Sequence, residues 1–114
     1  MTTQKGEKKT EVLVKYMMEW KVKESKNAHG KAVDKFLKTG APLPDGCKLI
    51  GRYHAPGSVK GWLIVETSDV SHVYNHASEW ADLLSWETTP VLLDEAAGME
   101  SSKVWGKTAC GCFY

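Results

Sequence analysis

One arrangement of elements is laid down twice in this chain. A strand-like run, an amphipathic helix and a second strand-like run cover residues 12–20, 27–39 and 47–54, and the trio recurs over 60–67, 69–84 and 86–93. In the first run Val12, Val14, Tyr16, Met18 and Trp20 alternate with Leu13, Lys15, Met17 and Glu19, so one face is wholly apolar. The first helix places Ala32, Val33, Phe36 and Leu37 on one side, with Ser25 or Asn27 as cap and Gly40 and Pro42 as its stop. Pro44-Asp45-Gly46 turns the chain into a strand in which Cys47, Leu49, Gly51 and Tyr53 oppose Lys48, Ile50, Arg52 and His54. Pro56-Gly57-Ser58 makes a hairpin-like link to the next strand, where Trp62, Ile64 and Glu66 face away from Leu63, Val65 and Thr67. Ser68 and Asp69 are good caps for the second helix, whose stripe is Val70, Val73, Ala77, Trp80, Ala81 and Leu84. Pro90 marks the last strand as an edge or a bulge, and after Asp94 the pattern dissolves.

The order β-α-β-β-α-β predicts an α+β domain on the ferredoxin-like plan: a four-stranded antiparallel sheet with two helices on one face. It divides the chain into a disordered polar arm (1–11), the folded domain (12–95) and a carboxy-terminal extension (96–114). Sheets of this kind turn a polar face to water on the side without helices. Here both faces carry bulk, with Met17, Ile50, Leu63 and Val65 on one set and Met18, Leu49, Trp62 and Ile64 on the other. The simplest cover for the second face is the same face of another copy, which predicts a homodimer.

Composition removes several function classes. Fifteen basic and 14 acidic side chains leave a formal charge of +1, so no bulk field draws nucleic acid or an anionic membrane. No apolar run has the length of a membrane span. The first eleven residues, with Lys5, Lys8 and Lys9 among Glu7 and Glu11, lack the apolar core of a secretory signal. Three cysteines cannot all pair within one chain. Together these set the expectation of a cytoplasmic protein. Phosphate loop, nucleophile elbow and dinucleotide fingerprint are all missing, and no cofactor is expected.

Trp20, Arg52-Tyr53-His54-Ala55-Pro56, Glu66-Thr67, His76, Glu79-Trp80-Ala81 and Thr89-Pro90-Val91-Leu92 together resemble a small, uncharacterised family within the dimeric α/β-barrel superfamily. That superfamily includes antibiotic-biosynthesis-type monooxygenases, stress-responsive barrel domains and muconolactone-isomerase-like enzymes. The resemblance covers residues 12–95 and implies the ferredoxin-like fold, a dimer, and a ligand pocket between the helices and sheet of each subunit. It implies no particular catalytic residue, because one scaffold hosts many activities.

The residues themselves offer candidates. His54 ends the second strand beside Arg52, and Glu66 ends its hairpin partner; a histidine–carboxylate pair there would make a general base or two metal ligands. The plainer role for His54 is to cap the hairpin. His72 and His76 lie one helical turn apart, but without the zincin glutamate they read as a surface pair, with His76 nearer the apolar stripe. The aromatic residues Tyr16, Trp20, Tyr53, Trp62, Tyr74, Trp80 and Trp86 would shape a pocket for a planar ligand, or simply fill a core, and of these Tyr16, Trp20, Trp62 and Trp80 are the expected ligand-binding set. Cys110-Gly111-Cys112, with Cys47 as a possible third thiolate, is a weak signal for a soft metal, and no metal is assigned. RNA binding on the sheet would need exposed aromatics such as Tyr53 and Trp62, and no basic stripe accompanies them.

The expectation is therefore a homodimer binding a small apolar or aromatic molecule. As an enzyme it would be a cofactor-independent monooxygenase or isomerase, with His54 or His76 as base, Arg52 steadying an oxyanion, and Trp20, Trp62 and Trp80 around the substrate. The alternative is a non-catalytic binding or structural dimer module.

Overall fold

The computed structural model describes residues 12–106. The polar arm over 1–11 and the thiols of Cys110 and Cys112 lie outside the described residues. Four strands, β1 (Val14–Val22), β2 (Lys48–His54), β3 (Lys60–Thr67) and β4 (Leu84–Val91), form one antiparallel open sheet in the order β2-β3-β1-β4. Helix α1 (Ala28–Thr39) joins β1 to β2, α2 (Val70–Glu79) joins β3 to β4, and α3 (Asp94–Ser101) follows β4. The fold is α+β, and among the described residues no helix is long and apolar enough to cross a membrane.

Side-chain alternation puts both α1 and α2 on one face of the sheet. Met18, Trp20, Leu63, Val65 and Leu84 point inward and are buried with Ala28 and Ala32 of α1 and Val73 of α2. Pairing fixes the faces: Tyr16 lies opposite Val65, Met18 opposite Leu63, and Trp20 opposite both Gly61 and Trp86. The outer face then holds Met17 opposite Ile64 and Glu19 opposite Trp62. This corrects the grouping expected from sequence, which set Leu63 and Val65 with Met17. Outer bulk is concentrated in Met17, Ile64, Trp62 and Tyr53, among charges that include a Lys15–Glu66 ion pair of 3.0 Å.

β2 departs from simple alternation. Leu49 pairs with Val65 and Gly51 with Ile64, so Ile50 is an extra residue in a β-bulge. The bulge puts Leu49, Arg52 and His54 on the inner face together, and Gly51 and Tyr53 outside. The expected split of Leu49 from Ile50, Arg52 and His54 holds only for an unbroken strand.

Helix ends follow local chemistry. Asn27 caps α1 at φ 67° without a side-chain bond, and Gly40 closes it at φ 74°, its N–H donating to the Phe36 carbonyl at 2.8 Å. Asp69 caps α2 by accepting from the Ser71 N–H at 2.9 Å. Ser71, through its side chain first and its backbone N–H second, holds the Asp69 carboxyl below its ordinary pKa. α2 ends at Glu79, five residues before the expected end, because the chain turns at Trp80 and Leu84 opens β4. Lys35 of α1 clasps this end, donating to the Glu79 carbonyl with its ammonium 4.5 Å from the Trp80 ring centroid.

Candidate functional site

Between the helices and the inner face of the sheet lies a cavity of about 270 Å³. Trp20 and Val22 of β1, Leu63 of β3, and Leu84 and Trp86 of β4 form its sheet side. Ala32, Val33, Phe36 and Leu37 of α1 and His76 of α2 form its helix side, with Trp80 and Ala41 between. Small alanines where α1 crosses the sheet keep the layers from filling the gap with side chains. The wall is almost wholly apolar, so the few polar atoms in it decide what it can hold.

His54 stands at the mouth. Its ring meets Trp20 at 5.3 Å and Phe36 at 5.7 Å, both edge-on, and the residue is exposed on its other side. His76 sits inside the wall at 2 % exposure. Burial, then the nearby Arg52 charge, push its pKa below the ordinary value, so the neutral imidazole is favoured. The ring also hydrogen-bonds the Pro42 backbone. Arg52 shares the inner face but is engaged elsewhere: Nη2 donates to the Ala41 carbonyl at 2.9 Å, with the guanidinium 5.8 Å from the Phe36 centroid. It fastens the exit of α1 to β2, and half-burial lowers its pKa.

The remaining sequence candidates separate by face. Trp20 and Trp80 reach the cavity, whereas Tyr16 packs against the core beside it. Trp62 lies on the opposite face under the Lys60 ammonium, 5.5 Å from its ring centroid. Glu66 lies on that opposite face too, paired with Lys15, so His54 and Glu66 do not meet. The pair expected from their strand-end positions is undone because the strands are antiparallel: His54 pairs with Gly61 at one end of the hairpin while Glu66 pairs with Lys48 at the other, and the two also face opposite ways. Tyr53 and Trp62 are register partners on the outer face, surrounded by acidic and basic side chains alike.

His72 turns inward rather than to solvent: its Nδ1 shares a 2.6 Å hydrogen bond with the buried Thr67 hydroxyl. It therefore braces the start of α2, and no group of three or more metal-ligating side chains occurs among the described residues. Burial raises the Cys47 thiol above its ordinary pKa, which makes it a poor nucleophile. Two aromatic residues of the cavity stand outside the ligand-binding set expected from sequence, Phe36 and Trp86. Phe36 was legible as part of the α1 stripe, but Trp86 enters the site only through its pairing with Trp20.

A family model described as a domain of unknown function (DUF3303) matches residues 14–104. The chain belongs to the DUF3303 family. That match takes in all four strands and the whole cavity, and it runs past α3. No curated protein and no solved structure matches the chain. The DUF3303 domain thus offers two histidines and three tryptophans around an apolar cavity, with proton transfer at a bound molecule as the chemistry those groups can perform.

Proposed function

We propose that this DUF3303 domain is a ferredoxin-like, dimeric α/β-barrel module that binds a small apolar or aromatic molecule between the helices and sheet of each subunit. The observation carrying the reading is the cavity of about 270 Å³, with His54 at its mouth and His76 in its wall. Close-packed domains leave few voids larger than water. An apolar void of about 150 Å³ already takes benzene, and small-molecule pockets begin near ~300 Å³. The size therefore suits one or two fused rings. The strand order with both helices on one face agrees with the ferredoxin-like plan. The outer patch of Met17, Ile64, Trp62 and Tyr53, ringed by charges of both signs, suits a two-fold contact in which lysines meet glutamates. The matching chemistry is cofactor-independent proton transfer, leading to isomerisation or oxygenation, with His54 or His76 as base.

The test is binding of naphthalene- and indole-sized compounds by ligand-detected NMR, to the natural chain and to Ala32→Trp and Val33→Trp, which fill the cavity from α1. Binding to the natural chain and its loss in a variant with unchanged circular dichroism is expected. Failure to bind any compound, or equal binding by both filled variants, refutes the reading. A second reading, a dimer module without turnover, is favoured by the engagement of Arg52 with backbone carbonyls and of Glu66 with Lys15. Sustained binding with no product from any bound compound would select it.

A further inference from the structure

Two side-chain atoms in the cavity wall are buried with no hydrogen-bond partner among the described residues: His76 Nδ1 and Trp86 Nε1. Their rings meet edge-on at 5.9 Å between centroids. The two atoms differ in kind. An indole Nε1 carries a hydrogen and only donates. His76 bonds the Pro42 backbone, and proline has no N–H, so the imidazole N–H donates to the Pro42 carbonyl. In the neutral ring the other nitrogen, Nδ1, is then a bare acceptor. The lowered pKa of His76 agrees with a neutral ring, because burial and Arg52 both oppose the charged one. The wall thus sets one donor beside one acceptor in apolar surroundings, and leaving either unmet carries a desolvation cost.

We propose that the ligand of this cavity carries a neutral hydroxyl on its ring, which donates to His76 Nδ1 and accepts from Trp86 Nε1–H at the same time. The proposal rests on the small-molecule reading above and narrows it to a chemical class. A hydroxyl is the smallest group that both donates and accepts. An ether accepts only and leaves Nδ1 unmet; a methyl meets neither atom. A carboxylate accepts only and brings a charge into an apolar space. The same contact places the ligand's O–H proton on the nitrogen that would remove it in a base-catalysed step.

The experiment compares 1-naphthol, 1-methoxynaphthalene and 1-methylnaphthalene by titration calorimetry on the full chain at neutral pH, then on Trp86→Phe and His76→Leu. The natural chain is expected to bind 1-naphthol about tenfold or more tightly than either analogue, the scale of two net hydrogen bonds. Each variant should reduce that advantage several-fold. Equal affinity for all three compounds overturns the hydroxyl assignment while leaving the cavity reading intact. No binding by any of them overturns the cavity reading and this proposal with it. An advantage undiminished in both variants places the hydroxyl against other groups and also overturns the proposal. Where a variant does not fold, the three compounds on the natural chain decide.

Discussion

Gly61 sits in the middle of the sheet under the Trp20 ring, and its replacement by alanine is the sharpest test of how the cavity is built. A Cβ at Gly61 would lie 2.3 Å from Trp20 Cζ2, 2.7 Å from Trp20 Cε2 and 2.4 Å from the Tyr53 carbonyl oxygen. Carbon atoms in contact settle at about 3.5–4.0 Å, so the indole must retreat by more than about 1 Å. Its one open side is the cavity, for elsewhere Trp20 is packed at 8 % exposure and held edge-on by His54, so the ring retreats into the ligand space. The Tyr53 oxygen is backbone of the neighbouring strand, which must shift as well. Overpacking of this kind costs about 1–3 kcal/mol, and two clashing partners put Gly61→Ala toward the upper end. The better strand backbone of alanine returns only about 0.5–1 kcal/mol. We expect a net loss of about 2 kcal/mol in urea unfolding followed by tryptophan fluorescence, equivalent to about 8–16 °C in Tm. Ligand affinity should fall with it, because the displaced ring is cavity wall. In a Trp20→Leu background the same substitution should cost about 1 kcal/mol less, the remainder being the clash with Tyr53. A loss below about 0.5 kcal/mol in the natural background would refute the close packing of Trp20 on Gly61.

Three other outcomes follow from the same geometry. Because the folded state holds His76 below its ordinary pKa of about 6.5, the unfolded chain binds more protons as pH falls through that value. Stability is therefore full above about pH 6.5 and declines on acidification toward the lowered folded pKa; urea unfolding between pH 7.5 and 5 should show this decline, and His76→Leu should flatten it. Glu66→Gln breaks a half-buried pair on the outer face, so it should cost no more than about 1 kcal/mol and leave affinity for cavity ligands within about twofold, as measured by calorimetry. Met17→Lys places a charge at the centre of the outer patch, opposite Ile64; the proposed two-fold contact predicts that sedimentation equilibrium finds the natural chain dimeric and the variant more weakly associated with helix content unchanged, and a monomeric natural chain or an unaltered association constant would refute that contact.

How much of this was legible in the sequence varies by element. β3 and the core of α1 were plain because alternation and the Phe36–Leu37 stripe were unbroken, with Gly40 closing the helix. α2 was read too long because Trp80 and Leu84 keep helical spacing across a turn; the Leu84 N–H still reaches the Trp80 carbonyl at 2.8 Å, although Leu84 already belongs to β4. α3 was missed altogether: it buries only Gly98 and has no apolar stripe, leaving Asp94 and Glu95 in its first turn as the one local signal. At the site, His54, His76, Trp20 and Trp80 were identified from strand parity and helix phase. Trp86 was legible only as one of seven aromatics weighed as pocket lining, since a strand's partner is a long-range fact absent from local pattern. Glu66 was misplaced because antiparallel strands set the end of one beside the start of the next, so His54 and Glu66, each closing its own strand, lie at opposite ends of the hairpin.

Among the described residues the sheet ends in two edge strands, β2 and β4, and neither is a clean template for another strand. Ile50 bulges β2 out of register, and Pro90 removes a donor from β4. An intact, flat edge invites open-ended strand addition, chain upon chain, toward fibrous aggregates. With both borders blunted, strand-by-strand growth is discouraged, and what the sheet leaves for a partner is its broad face, the one the proposed two-fold contact uses. Deleting Ile50 would keep the inward and outward alternation of β2 while straightening its border, and so would give the sheet an edge that strands of further chains can extend.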